Sequence, residues 1–184
     1  MFYEMFSFVL DIVAGIFAGF LLLRFWVQTL RLRPPASLAQ SIFQLTDWIV
    51  RPIRRLVPGF GGFDWASLIA AFLVALLSYG LEFLFSGHFN AGLLFALSLL
   101  RLGQWILYGL MGLLVLEAIL SFVNPYAPLA PLIRALNQPL LAPLRKIIPP
   151  VGGFDFSVLV ALILLQLLGR VLVLAVPRLF MLLS

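Results

Sequence analysis

The sequence predicts an all-α membrane protein with four transmembrane helices, arranged as two parallel helix–amphipathic loop–helix repeats with pseudo-two-fold symmetry. Hydrophobic residues make up 64% of the 184 residues and charged residues only 10%, and the mean hydropathy of +1.16 lies above that of soluble domains. Four apolar stretches are each long enough to cross a hydrocarbon layer of about 30 Å. One polar motif occurs twice, between the first two stretches and between the last two.

The apolar stretches define two predicted repeats. The first repeat, residues 1–90, contains spans near 5–30 and 65–85, and the second, residues 91–184, contains spans near 100–123 and 156–180. The stretch that holds the third span begins earlier, near Phe89, and includes Arg101. Two interpretations of residues 89–100 stay open: a segment at the membrane interface, or a tilted extension of the third span.

The polar motif indicates an internal duplication, because its two copies align without a gap at an offset of 91 residues. The aligned residues are Pro52, Arg54, Arg55, Pro58, Gly61, Gly62 and Asp64 in the first copy and Pro143, Arg145, Lys146, Pro149, Gly152, Gly153 and Asp155 in the second. Such matches are rare by chance in a chain this apolar. Because each repeat contains two spans, both repeats enter the membrane in the same direction and are parallel.

The distribution of basic residues predicts the orientation. The two long loops and the adjoining span ends hold Arg24, Arg31, Arg33, Arg51, Arg54, Arg55, Arg134, Arg145 and Lys146, whereas the opposite side holds only Arg101, Arg170 and Arg178. The positive-inside rule therefore places both long loops in the cytoplasm and both termini outside.

Each long loop contains a pattern typical of an amphipathic helix. In the first loop, the helix predicted over residues 36–50 carries Leu38, Ile42, Leu45 and Ile49 on one face. In the second loop, the helix is predicted over residues 127–138, and Leu129, Ile133, Leu136 and Leu140 follow the same spacing. We expect Pro139 to end the second helix. Two placements stay open: in the membrane interface, with the basic pairs Arg54–Arg55 and Arg145–Lys146 near anionic headgroups, or packed under the bundle as a lid.

The polar motif also resembles that of a known family. The segments RPIRRLVPGFGGFD (Arg51–Asp64) and APLRKIIPPVGGFD (Ala142–Asp155), each preceded by an amphipathic segment and followed by an apolar span, resemble the duplicated signature of the YggT (also YlmG) family. The resemblance covers nearly the whole chain. It implies a small integral membrane protein, expected in the bacterial inner membrane, with links to envelope, division or osmotic-stress phenotypes. For photosynthetic lineages, the resemblance implies a role in the assembly of membrane complexes. The resemblance implies no catalytic residues.

Within each motif copy, the proline is expected to end the loop helix and the glycine pair to form a tight turn with positive φ. Asp64 and Asp155 then begin the next span, where a carboxylate accepts hydrogen bonds from exposed helix N–H groups. If they act as caps, asparagine should replace either aspartate with little loss. The alternative is an ion or phosphate site, formed by these aspartates and the basic pairs near the pseudo-two-fold axis.

The charges within the spans suggest pairing between the repeats, because each has an opposite charge at a matching depth in the other repeat. The hypothesised ion pairs are Asp11–Arg101, Arg24–Glu117 and Glu82–Arg170. The alternative is that these side chains extend to the headgroups. Gly15 and Gly19 form a GxxxG surface on the first span, which is typical of close helix packing in membranes.

The sequence lacks the residues that several kinds of chemistry require. The chain has no cysteine, which removes disulfides, thiolate nucleophiles and Cys-ligated metals, and its single histidine, His88, forms no metal or haem site by itself. Neither a catalytic Ser-His-Asp set nor a nucleic-acid-binding surface is evident. We therefore expect no enzyme activity, no cofactor, no metal and no nucleic-acid partner.

Two function classes stay open. The first is a membrane scaffold or assembly factor, whose basic amphipathic loops bind anionic lipid headgroups or a membrane or cytoplasmic protein. This function is compatible with a homo-oligomer. The second is a small transporter or oligomeric channel, whose basic loops form a cytoplasmic vestibule. The spans add few uncharged polar residues, namely Ser78, Ser98, Gln104, Ser121 and Gln166. This scarcity favours the scaffold.

Overall fold

The computed structural model describes residues 2–86, 90–148 and 155–183. These residues form six helices and no β-strand. The helices are α1 (Phe2–Thr29), α2 (Ala36–Leu56), α3 (Trp65–Ser86), α4 (Ala91–Val123), α5 (Ala130–Ile147) and α6 (Phe156–Leu183).

Four of the helices, α1, α3, α4 and α6, are long and apolar enough to cross a membrane. This confirms the predicted all-α membrane protein with four spans in two repeats. Helix α4 is continuous from Ala91, so the segment before residue 100 extends the third span. Its 33 residues measure about 50 Å, more than the hydrocarbon layer, so α4 is tilted or projects beyond it.

The loop helices α2 and α5 pack against the spans through one face. In α2 the buried residues are Ile42, Thr46 and Val50, and the helix lies against α1 and α3. In the same way, α5 lies against α4 and α6. The opposite face of α2 exposes Leu45 and Trp48. Leu45, which belongs to the predicted apolar stripe, is therefore not part of the face that packs on the spans.

Helix α5 does not end where the sequence predicts. It continues through Pro139 and Pro143 to Ile147, so the expected helix end at Pro139 is wrong. Each internal proline removes one backbone hydrogen bond, at a cost of about 3 kcal/mol in an exposed helix. Here Leu136 and Leu141, on either side of Pro139, are fully buried, and their packing offsets that loss.

The turn between α2 and α3 has the geometry expected of the motif. Helix α2 ends at Leu56, two residues before Pro58, and Gly61 and Gly62 have positive φ values of 69° and 84°. A side chain is strained in this conformation, which accounts for the glycine pair. The counterparts Pro149, Gly152 and Gly153 lie outside the described residues.

The packing between the repeats is less symmetric than their sequences. Helix α3 packs on α4, and α1 also contacts α4. The indole of Trp26 in α1 donates to the carbonyl of Leu136 in α5 at 2.9 Å. Helix α6, in contrast, packs on α4 and α5. In the part of the chain that the structure describes, it forms no comparable contact with α1, which would be the two-fold counterpart of the contact between α3 and α4.

Candidate functional site

The most polar part of the first repeat is an ionic cluster around Arg24, near the end of α1 where α3 begins. The Arg24 side chain is only 3% exposed. Its Nη1 donates to Thr46 Oγ1 and to Asp47 Oδ1, both at 2.7 Å, and its Nε lies 3.7 Å from Asp64 Oδ2. The ring of Phe43 lies 4.8 Å below the guanidinium. Arg24 therefore joins α1 to α2 and to Asp64, the residue that precedes α3.

Two more arginines close this cluster from the outside. Arg51 Nη2 lies 2.6 Å from Asp47 Oδ2, and Arg54 Nη2 lies 2.7 Å from Asp64 Oδ1. Each aspartate is thus shared between the buried Arg24 and one more exposed arginine of α2. Five charged groups, three positive and two negative, fix α2 against the spans.

The second repeat has a corresponding cluster around Arg145 of α5. Arg145 Nη2 lies 3.1 Å from Glu117 Oε1 in α4, and its Nε donates to Asp155 Oδ2 at 2.7 Å. The Asn137 amide donates to Glu117 Oε2 at 2.7 Å and to the carbonyl of Leu113 at 2.9 Å. Asp155 Oδ1 accepts from the backbone N–H of Ser157 at 3.0 Å, so Asp155 also caps α6.

The two clusters share several equivalent positions of the repeats, but the charged residue on the span is positive in the first cluster and negative in the second. Thr46 and Asn137 are separated by 91 residues, as are the pairs Arg54–Arg145 and Asp64–Asp155. The span contributes Arg24 in the first repeat and Glu117 in the second. The second cluster consequently holds two carboxylates for one arginine, whereas the first holds more cations than carboxylates.

Arginine neighbours alter the acidity of these carboxylates. Burial by itself raises the pKa of Asp47, but the hydrogen bond and charge of Arg24, together with Arg51, outweigh it and leave the pKa below its usual value of 3.8. Burial also opposes ionisation of Asp155, and the bond from Arg145 and the N–H of Ser157 outweigh it, so its pKa is lowered. Both groups are therefore carboxylates at neutral pH.

The hypothesised Arg24–Glu117 pair is wrong. The partners of each residue come from its own repeat: Asp47 and Asp64 for Arg24, and Arg145 for Glu117. The physical reason is that α2 and α5 bring charged side chains to the ends of the spans. A charge near the span end is thus paired before it reaches the other repeat.

A third polar group lies toward the other ends of the spans. Arg101 Nη2 is 3.1 Å from Asp11 Oδ1, the hypothesised partner in the first repeat. Arg101 Nε also donates to the Tyr79 hydroxyl at 3.2 Å. In the described residues, Glu82 and Arg170 form no ion pair with each other, so that hypothesised pair is wrong. Glu82 of α3 lies near Asp11 and Arg101 instead, because α3 packs on α1 and α4, whereas the described parts of α3 and α6 form no comparable contact.

The GxxxG surface of α1 has two different environments. A Cβ atom added at Gly15 would lie 3.5 Å from Trp105 Nε1 of α4, whereas one added at Gly19 would meet nothing within 4 Å. Gly19 instead lines an apolar cavity of about 360 Å³ between α1 and α4, together with Trp26, Trp105 and Gly109. Close packing along this surface therefore extends over one glycine only.

Four residues of the ionic clusters were not predicted from the sequence as site residues: Thr46, Asp47, Arg51 and Asn137. A signal for two of them was present. Thr46 and Asn137 occupy the same position of the duplicated amphipathic helix, within or next to its apolar stripe, and both are fully buried. A polar residue at a buried position needs a hydrogen-bonding partner, and the nearest charges on the spans supply it.

The charged groups of the two clusters are paired with one another, which suits a structural role. No group of three or more histidine, cysteine or acidic residues with metal-binding geometry occurs in the described segments. Of the basic pairs, Arg54 and Arg145 turn inward to the aspartates, while Arg55 and Lys146 are exposed. The exposed basic residues are thus left available at the surface.

Comparison with known proteins identifies the family. The family model described as CCB3/YggT matches residues 3–85 and again 96–176, one match for each repeat. An uncharacterised protein of Pseudomonas aeruginosa is 33% identical over 171 residues, which cover 90% of this chain and 87% of that protein. The uncharacterised protein YggT of Escherichia coli is 30% identical over 168 residues, covering 89% and 86%. No solved structure matches significantly. This chain, with its two copies of the matched repeat, therefore belongs to the CCB3/YggT family of membrane proteins.

Proposed function

We propose that this protein is a non-enzymatic scaffold of the bacterial inner membrane, whose two loop helices bind anionic lipid headgroups on the cytoplasmic side. A scaffold needs a rigid surface presented at a fixed depth in the membrane. The ionic clusters supply that rigidity, because they connect each loop helix to two spans of its own repeat.

One repeated observation carries the proposal. At the end of each loop helix, one arginine is turned inward to the aspartate, the next basic residue is exposed, and an exposed apolar residue follows. These exposed pairs are Arg55–Leu56, with Leu56 84% exposed, and Lys146–Ile147, with Ile147 76% exposed. A cation beside an apolar side chain fits the boundary between phosphate headgroups and acyl chains.

The same features give less support to transport. The cavity between α1 and α4 is lined by leucine, isoleucine, glycine, phenylalanine and tryptophan, which offer an ion no ligands. The buried charged groups near the loop helices are paired with one another. A scaffold tied to envelope organisation, division or osmotic stress is therefore the preferred reading.

The proposal requires the long loops to face the cytoplasm, which labelling of single cysteines can test. The chain has no cysteine, so each reporter is unique. Cysteines at the exposed positions Ser41 and Gln138 should react with an impermeant maleimide only after the cells are opened. A cysteine at His88, between α3 and α4, should react in intact cells. Labelling of either loop helix from outside would reverse the orientation.

Lipid titration tests the headgroup interaction. Phosphatidylglycerol added to the detergent-purified protein should be retained in native mass spectra, and the double variant Arg55→Gln with Lys146→Gln should bind it about 25-fold more weakly. This follows from about 1 kcal/mol, or roughly fivefold, per charge near an anionic surface. The charge-preserving control Arg55→Lys with Lys146→Arg should bind normally. Equal retention of phosphatidylcholine and phosphatidylglycerol would contradict the proposal.

A further inference from the structure

Among the described residues, Arg170 is a charged residue of a span that has no ion-pair partner. It lies on an exposed face of α6, within an apolar span, and forms no ion pair with any described residue. A charged side chain at such a depth is costly unless it is paired or reaches water, and it often marks a contact or a functional site.

The duplication allows the face of α6 around Arg170 to be compared with the equivalent face of α3, which packs on α4. In the first repeat, the counterpart of Arg170 is Tyr79, which bonds to Arg101 where α3 packs on α4. Phe72 of α3 also contacts Phe95 of α4, with ring centroids 5.4 Å apart, and its counterpart on α6 is Ile163. Ile163 is 48% exposed. The two positions of α3 that contact α4 thus have exposed counterparts on α6, Arg170 and Ile163.

The matching surface is on α1, which is the repeat counterpart of α4. The residue equivalent to Arg101 is Leu10, the immediate neighbour of Asp11. Apolar residues Phe8, Ile12 and Ile16 form an exposed stripe on this helix. However, the described residues of α6 form no comparable contact with α1 of the same chain, so this pair of surfaces is left open.

The charges on the two surfaces are complementary. The Asp11 side chain is 39% exposed although its Oδ1, facing Arg101, is fully covered, so the exposure lies on its other atoms. The acidic side chain of Glu82 also lies within range of the charges of Asp11 and Arg101, so two acidic residues share this one cation. One further cation would balance this group, and Arg170 lies at the equivalent depth in the other repeat.

We propose that α6 of one copy docks on α1 of a second copy, as α3 docks on α4 within the chain, and that Arg170 of the docked copy pairs with the Asp11–Glu82 carboxylates. The second repeat of one copy then contacts the first repeat of the next copy in the same way that the first repeat contacts the second within one chain. Because the two surfaces differ, the contact is heterologous and produces a ring or a row of copies in the membrane plane.

Self-association of the full-length protein in nanodiscs or liposomes tests this contact. Fluorescence energy transfer between donor-labelled and acceptor-labelled copies should show association that Arg170→Leu weakens about tenfold, as expected for losing one strong polar contact between membrane helices. Arg170→Lys should retain most of it. The control Arg134→Leu removes an exposed positive charge of α5 and should change nothing. A monomer at every protein-to-lipid ratio, or association that Arg170→Leu leaves intact, would overturn the proposal.

Cross-linking decides which carboxylates are contacted. In Arg170→Lys, a membrane-permeant carbodiimide can join the new amine to a nearby carboxylate. Mixing ¹⁴N-labelled and ¹⁵N-labelled copies before the reaction should yield a cross-link to Asp11 or Glu82 that combines both isotopes. Cross-links of a single isotopic composition would show that the contact lies within one chain and would reject docking between copies.

Discussion

Replacing Arg24 with leucine should destabilise the protein by about 3 kcal/mol, the largest single loss expected from a charge in the spans. The variant leaves two carboxylates near one another, Asp47 and the almost fully buried Asp64, without the buried guanidinium that joins them. Reversible unfolding in bicelles, followed by tryptophan fluorescence, measures the loss. Arg24→Lys should retain part of the stability, because an ammonium group supplies the charge but reaches fewer acceptors.

Arg170→Leu is the matched control for Arg24→Leu, because it also removes an arginine from an apolar span. Arg170 is exposed and forms no ion pair with the described residues of its own chain, so the free energy of unfolding of the dilute monomer should change little. If both substitutions cost the same, the loss would reflect charge removal in general and not the ionic cluster.

Asp64→Asn should cost about 2 kcal/mol, whereas Asp155→Asn should cost about 1 kcal/mol or less. The two positions are equivalent in the repeats, but the Asp64 side chain is 4% exposed and lies between Arg54 and Arg24, and the Asp155 side chain is 30% exposed. Solvent screens the more exposed pair. Asparagine at 155 still accepts the hydrogen bond from the N–H of Ser157.

The same unfolding measurement separates the charge of Asp155 from its capping role. Asp155→Ala removes both the cap and the charge and should cost more than Asp155→Asn. Asp64 accepts from the Ser67 hydroxyl, so Asp64→Ala strands that hydroxyl as well as the arginines. Equal and small losses for asparagine at both positions would favour capping as the only role of the aspartates.

The architecture could be predicted because it depends on composition and periodicity. The spans follow from the length of the apolar stretches, and the duplication from proline, glycine and aspartate at one constant offset. The Asp11–Arg101 contact was also anticipated, since both residues lie on spans at a depth fixed by the repeat. Such depth arguments work where only the spans supply polar partners.

The partners of Arg24 and Glu117 could not be predicted in this way. Depth gives a position along the membrane normal but no direction around the helix, and it ignores groups carried by loops. Helices α2 and α5 pack at the span ends and supply Asp47 and Arg145 there. The polar residues Thr46 and Asn137, at equivalent positions on the loop helices, were the part of the pattern that pointed to this packing.

Pairing of Arg24 and Glu117 within their own repeats, and not with each other, is measured most directly by two double-mutant cycles on unfolding free energy. Arg24→Leu combined with Asp64→Leu should show a coupling of at least about 1 kcal/mol, because each single variant leaves the other charge buried and less fully paired. Arg24→Leu combined with Glu117→Leu should be additive within about 0.5 kcal/mol, because these residues share no partner. Strong coupling of Arg24 with Glu117, together with additivity of Arg24 and Asp64, would contradict the ionic clusters described above.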